Sequence, residues 1–230
     1  MRLTLPHYYD FGPDRDLLGG DLLGPEDWDS LRIEGQGIFR FPLDPGSYRE
    51  LVERSGWQAR RARALARWIE ESGVRTVASY GVGPGIVESW LRKLIPEVSL
   101  VLADYAPRTV EGLRVHFPDL EVHLHDFCRE QPLDAELHLF NGVDTELHDQ
   151  AWRDVLRRFA DRRVLFFPNI TLGARVLAGE LWCRRPGRRP MRAGWWRTKG
   201  RFDELTSPTH EISRLTAGRA GVAWMLEPRR

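Results

Sequence analysis

Between residues 74 and 167 the sequence alternates short apolar runs with amphipathic stretches, and each change of period falls on a turn residue. Residues 74–80, 98–103, 120–125, 135–140 and 164–167 read as buried strands. Between them, Ile86, Val87, Trp90, Leu91, Leu94 and Ile95 mark one helical stripe. Val110, Leu113 and Phe117 mark a second, and Trp152, Val155, Leu156 and Phe159 a third. A strand that feeds a helix and then another strand must return to the same end of the sheet, so the strands run parallel with helices on both faces. The rhythm changes at the end of the chain. Residues 210–215 and 222–226 read as two strands joined by the glycine-containing connection 216–221, which is a hairpin. The expected fold is α/β: a doubly wound, mostly parallel sheet of about seven strands with a terminal antiparallel hairpin.

Upstream, residues 47–72 read as a helix, with Ser47 as N-cap, Glu50 at capping-box spacing and Gly73 as terminator. Residues 1–46 are rich in Gly, Pro, Asp and aromatics and lack sustained periodicity. They are expected to form an irregular arm or lid before a domain spanning 47–230. A hydrophobic content of 42% with 29% charged residues excludes long disorder. No apolar run approaches the ~18 residues of a membrane span, and the first residues lack a signal-peptide apolar core. With only Cys128 and Cys183, a disulfide framework is excluded. The expectation is a soluble cytoplasmic protein.

Charge is unevenly placed. Residues 1–46 hold four arginines against nine acids, a net of −5, whereas residues 184–201 hold seven arginines and Lys199 with no acid, a net of +8. Trp195 and Trp196 lie within this basic insertion. Arginines interleaved with aromatics stack on bases and pair with phosphates, hold a small carboxylated aromatic, or simply form a solvated loop.

The turn after the first strand, Gly81-Val82-Gly83-Pro84-Gly85, opens directly into a helix. Glycines there let the backbone bend tightly and admit a ligand without a Cβ in the way, and the helix start offers free N–H groups. Asp104 ends the second strand, where a carboxylate can accept both hydroxyl protons of a ribose. A dinucleotide loop would place Gly or Ala where this chain has Ile86, and a Walker loop would need Gly-Lys-Ser/Thr, which is absent. The pattern therefore points to a nucleoside-bearing cofactor without a pyrophosphate.

In these features the chain resembles the class I S-adenosylmethionine-dependent methyltransferases, over roughly residues 50–228. The resemblance implies that Tyr80, Gly81, Gly83 and Gly85 wrap the methionine part of the cofactor and that Asp104 holds its ribose. It also implies that Tyr105 packs on adenine and that Asp126 and Phe127 contact the adenine amino end. Asn141 and the stretch to Asp149 fall where family members surround the reacting methyl. One position departs: many members carry an acid two residues before the first glycine, and here that residue is Ser79. The cofactor's amino group then falls to backbone carbonyls or to another side chain.

His148 and Asp144, past the fourth strand, are the candidates for a general base, although a helix start capped by Asp149 explains the same stretch. His123, His125 and His138 lie on neighbouring strands and are expected to be hydrogen-bonded structural residues rather than metal ligands. The function expected is methyl transfer from S-adenosylmethionine to a small molecule, with the arm and residues 182–200 walling the acceptor. The alternatives are a nucleic-acid methyltransferase using residues 184–201 and a non-catalytic nucleoside-binding module. No metal and no membrane partner are expected.

Overall fold

A computed structural model describes residues 2–229 other than 21, 38, 170, 186, 219 and 220. Asp21 of the acidic arm, Pro186 of the basic insertion and two residues of the terminal connection thus lie outside the described residues.

The seven-stranded sheet has the order β4-β3-β2-β5-β6-β9-β8. Its strands are β2 (Thr76–Tyr80), β3 (Ser99–Asp104), β4 (Glu121–Leu124), β5 (Leu137–Asn141), β6 (Val164–Phe167), β8 (His210–Thr216) and β9 (Val222–Pro228). The first five pair in parallel. β9 runs antiparallel to both β6 and β8. The hairpin expected from the sequence is therefore present, and β9 is the reversed strand. The order jumps outward from β2 in both directions, to β3 and to β5, so a crevice opens above the carboxyl end of β2.

Two apolar layers cover the sheet. One is built by α3 (Gly56–Ser72), α4 (Ile86–Leu94) and α5 (Pro107–His116), whose Leu65, Ile69, Leu91 and Leu113 are fully buried against Val77, Leu102 and Leu139. The other is built by α6 (Asp149–Arg158) and α8 (Lys199–Thr206), through Trp152, Leu156 and Phe202 against Phe140, Phe166 and Trp224. Burying a side chain of this size contributes about 1.5–3 kcal/mol, so these stripes supply the main driving force for the domain. Among the described residues, no helix is long and apolar enough to cross a membrane.

Two sequence expectations change here. The helix expected over residues 47–72 is two: α2 (Pro45–Arg54) and α3, broken at Ser55, whose ψ of 54° leaves the helical region. The cap of α2 is Asp44, accepting the Ser47 N–H at 2.8 Å, rather than Ser47, because Pro45 at the first helical position moves the start forward. The arm is also more regular than its composition suggests. It contains β1 (Thr4–Tyr9), a 3-10 turn (Gly12–Leu17) and α1 (Pro25–Glu34). β1 pairs antiparallel with β7 (Met191–Arg197) of the basic insertion, joining Leu5 to Trp196 and His7 to Gly194. Phe11, Leu18 and Leu31 of the arm bury a third small core with Met191 and Ala193. Beyond β6 lies α7 (Ala174–Cys183), against which β1 packs.

The opposite charges of arm and insertion meet in this unit. Arg188 pairs with Asp10 and Arg189 with Asp16, each at 2.8 Å. Arg197 is fully buried. Its Nε donates to Asp149 Oδ1 and its Nη1 to the Asp144 carbonyl, both at 2.7 Å, and its Nη2 donates to the Leu147 carbonyl. Arg201 adds a further bond to Asp149 at 2.7 Å. Much of the basic cluster is thus matched within the chain.

Candidate active site

The glycine loop lies at the carboxyl end of β2. Gly81, Gly83 and Gly85 all take left-handed backbone angles, with φ of 62°, 57° and 69°. A Cβ on Gly81 would overlap the Val143 side chain, so bulk as well as torsion requires glycine there. Asp104 ends β3 and is buried. Its Oδ2 accepts the Gly83 N–H at 2.9 Å and its Oδ1 the Ala106 N–H at 3.0 Å. Burial raises its pKa against those two bonds and the nearby Arg32. One carboxylate thus ties the loop after β2 to the start of α5.

The loop and Asp104 border a cleft of about 570 Å³. Tyr105, Asp126, Phe127, Asn141 and His148 line it as well. The Tyr105 hydroxyl donates to Glu146 Oε2 at 3.2 Å, and burial raises the tyrosine pKa. Asp126 Oδ1 accepts the Cys128 N–H at 2.9 Å. Asn141 Oδ1 accepts from Arg61 Nη1 at 2.9 Å. Tyr80 is different: its side chain is 1% exposed, turned into the core, with its hydroxyl accepting the Leu133 N–H at 2.9 Å and lying 3.1 Å from His138 Nδ1.

The two candidate bases occupy unlike surroundings. His148 caps α6: its Nδ1 accepts the Ala151 N–H at 3.1 Å, the role the sequence offered to Asp149. An imidazole that accepts at Nδ1 carries its proton on Nε2. Asp149 instead turns toward Arg197, Arg201 and Thr4, because a buried guanidinium beside it outweighs one backbone N–H. Asp144 is fully buried, with Oδ1 accepting the Asn169 N–H at 2.7 Å and Oδ2 unpartnered among the described residues. Burial pushes its pKa up to about 6. It ties the loop after β5 to the one after β6 and does not line the cleft.

Several lining residues escaped the sequence reading. Glu88, in the first turn of α4, is 1% exposed and accepts the Ser79 hydroxyl at 2.8 Å. Burial pushes its pKa up to about 7. Glu146 sits near Asp104, and burial raises its pKa to about 7 as well. Arg61 reaches in from α3, and burial lowers its pKa to about 10. Leu23, Trp28, Arg32 and Phe39 bring the arm over the cleft, and Arg32 lies just above Gly83. The only sequence signal for Glu88 was an acid three residues past Gly85, where a helix N-terminus favours one. Arg32 and Arg61 carried none, since each depends on how a separate helix docks.

The fold is one found in solved structures. SibL, an S-adenosylmethionine-dependent methyltransferase, aligns over 96% of this chain and 66% of its own, at 17% identity and a TM-score of 0.65. The mitomycin 7-O-methyltransferase MmcR aligns over 87% and 63%, at 20% identity and 0.60. Human N-acetylserotonin methyltransferase, solved with SAM, aligns over 73% and 52%, at 16% identity and 0.59. The chain has the class I methyltransferase fold. This methyltransferase-like chain spans between 52% and 66% of the length of these three proteins. No family model and no curated protein matches its sequence. Within the methyltransferase fold, the cleft lies where the strand order reverses, at the carboxyl ends of the parallel strands.

Proposed function

We propose that the protein is an S-adenosylmethionine-dependent methyltransferase acting on a small molecule. The observation that carries this reading is the buried Asp104 carboxylate bonded to the Gly83 N–H at the lip of the cleft. It combines a ribose-type acceptor with a loop too tight for side chains. The cleft residues fit such a cofactor by charge. Glu88 is a buried carboxylate paired with no cation among the described residues, which suits an ammonium group. It supplies the acid that Ser79 does not. Arg61 is a buried guanidinium whose Nε has no partner among the described residues, which suits a carboxylate. The apolar Phe127 wall suits an adenine ring.

The cofactor supplies an electrophilic methyl group on a sulfonium. What remains for the protein is to hold an acceptor in line with it and to exclude water. The arm serves the second task, because Trp28, Arg32 and Phe39 roof the cleft. A small acceptor is favoured over nucleic acid, because Arg188, Arg189, Arg197 and Arg201 of the basic insertion are paired within the chain.

Calorimetric titration with S-adenosylmethionine and S-adenosylhomocysteine tests the reading, with NAD and ATP as controls. Micromolar binding of the first two alone, weakened at least tenfold by Asp104→Ala, is expected. Binding of neither, or tighter binding of NAD, would overturn it.

A further inference from the structure

The helix α7 turns large apolar side chains toward solvent. Leu177, Leu181 and Trp182 are 43%, 72% and 52% exposed, whereas among the described residues α1, α3, α4 and α5 each leave one large apolar side chain exposed. Leu177 and Leu181 stand about one turn apart. Ala178, also exposed, and Trp182 form the adjoining row, so the face is continuous along the helix.

The opposite face of α7 is engaged. Val176, Gly179 and Cys183 wall a second cavity, of about 980 Å³, together with Tyr8, Phe167 and Val222. Glu180 is buried, and its carboxylate accepts His7 Nδ1–H at 2.7 Å, the Tyr8 N–H at 3.0 Å and the Trp196 indole N–H. Those bonds fix the rotation of the helix about its axis, so Leu181 and Trp182 stay outward unless the Glu180 contacts break.

The charge around the exposed face has one sign. Glu180 is the only acid in α7, and it points inward, so the outer face carries no negative charge. The chain then runs into Arg184 and Arg185, the start of the basic insertion. Arg185 lies over the Trp182 ring at 3.8 Å and has no acid partner among the described residues. Arg184 lies over the Tyr8 ring at 4.2 Å and 3.7 Å from Glu180. Arg188 and Arg189, further on, are matched by Asp10 and Asp16. Exposed leucines beside a tryptophan, with a guanidinium stacked on that tryptophan, suit the boundary between lipid headgroups and acyl chains. Anionic headgroups would supply the countercharge that Arg185 lacks. A second copy of the chain fits less well, because a two-fold contact lays the patch on itself and brings the same arginines together. Nucleic acid offers the two leucines nothing to bury against.

We propose that α7 lies on an anionic lipid surface, with Leu177, Leu181 and Trp182 in the headgroup–acyl boundary and Arg184 and Arg185 among the phosphates. The sequence expectation of no membrane partner rested on the absence of a spanning segment, and a helix that lies in the interface needs none. The proposal goes beyond the methyltransferase reading and does not depend on it.

The test is cosedimentation of the full chain with phosphatidylcholine vesicles, with and without phosphatidylglycerol. Binding should require phosphatidylglycerol and weaken as salt is raised, through screening. Leu181→Gln should lower the vesicle partition coefficient about tenfold or more, and Arg185→Gln about fivefold. Both side chains are exposed, so the thermal midpoint should not move. Brominated phosphatidylcholine in the anionic vesicles should quench part of the tryptophan fluorescence, and Trp182→Phe should remove that quenching. No cosedimentation with the anionic vesicles, or binding and quenching untouched by the three substitutions, would overturn the proposal. So would a dimer in sedimentation velocity that Leu181→Gln disperses, which would assign the face to a second copy.

Discussion

Removing the Asp149 carboxylate isolates what holds the arm and the basic insertion over the sheet. Asp149 joins four elements: its oxygens accept from Thr4 of β1, Arg197 of β7 and Arg201 of α8, and it begins α6 itself. Arg197 is fully buried, so Asp149→Ala leaves its guanidinium with two backbone carbonyls and no hydrogen-bonded carboxylate, Asp144 acting on it only through space. Breaking one side of a buried pair costs about 3–5 kcal/mol. Arg201 is partly solvated and also bonded to Glu204, so its loss adds little. The expected destabilisation is about 3–4 kcal/mol by urea unfolding at pH 7. Asp149→Ala combined with Arg197→Met should recover part of that, because the unpaired guanidinium is gone from the interior. Burial alone would raise the Asp149 pKa, but the bonds from Arg197 and Arg201 hold it below the usual carboxylate value. Its contribution is therefore present above the unfolded pKa of about 3.9 and is lost as pH falls through the lower folded value. A single-variant cost under about 1 kcal/mol, or a double variant as unstable as the sum of its parts, would refute this account.

Glu88→Gln should flatten the pH dependence of stability in the ligand-free protein. The folded pKa of Glu88 is raised to about 7 by burial, so its favourable contribution is full below the unfolded value and lost as pH rises through 7. Urea midpoints measured from pH 5 to 8 should fall more steeply for the unmodified protein than for the variant, and the same variant should bind S-adenosylmethionine at least tenfold more weakly. Gly81→Ala should cost about 1–3 kcal/mol and abolish cofactor binding, because it forces an alanine to positive φ and its Cβ into Val143. Calorimetry and thermal unfolding of that variant check both effects.

Elements built from local signals were legible in the sequence. The stripes of Leu91, Leu113 and Trp152 and the turn glycines at 73, 81 and 85 located the helices and strands of the sheet to within a few residues. α1 was missed although Pro25, Glu26 and Asp27 announce a helix start, because only Leu31 and Arg32 of that helix are buried and no apolar stripe appears. β1 and β7 were missed because each is a strand only through the other: the partners of Leu5 and His7 lie some 190 residues away. In the cleft, Asp104 could be inferred because its place after a strand fixes its direction. Asp144 and Asp149 could not be assigned, since which acid faces an arginine, a backbone N–H or the cleft follows from packing.

The sequence by itself determined the alternation, the glycine loop and the acid that follows it, because each is set by sterics and period within about 30 residues of chain. Tertiary structure decided what stands around them. It matched the acidic arm to the basic insertion, brought Glu88 under Ser79, and turned His7 toward Glu180 across more than 170 residues. The first and last of these join residues more than 170 apart in sequence, the second only nine apart, and all are polar contacts. They exist only once burial has removed the water that would otherwise satisfy each charge separately.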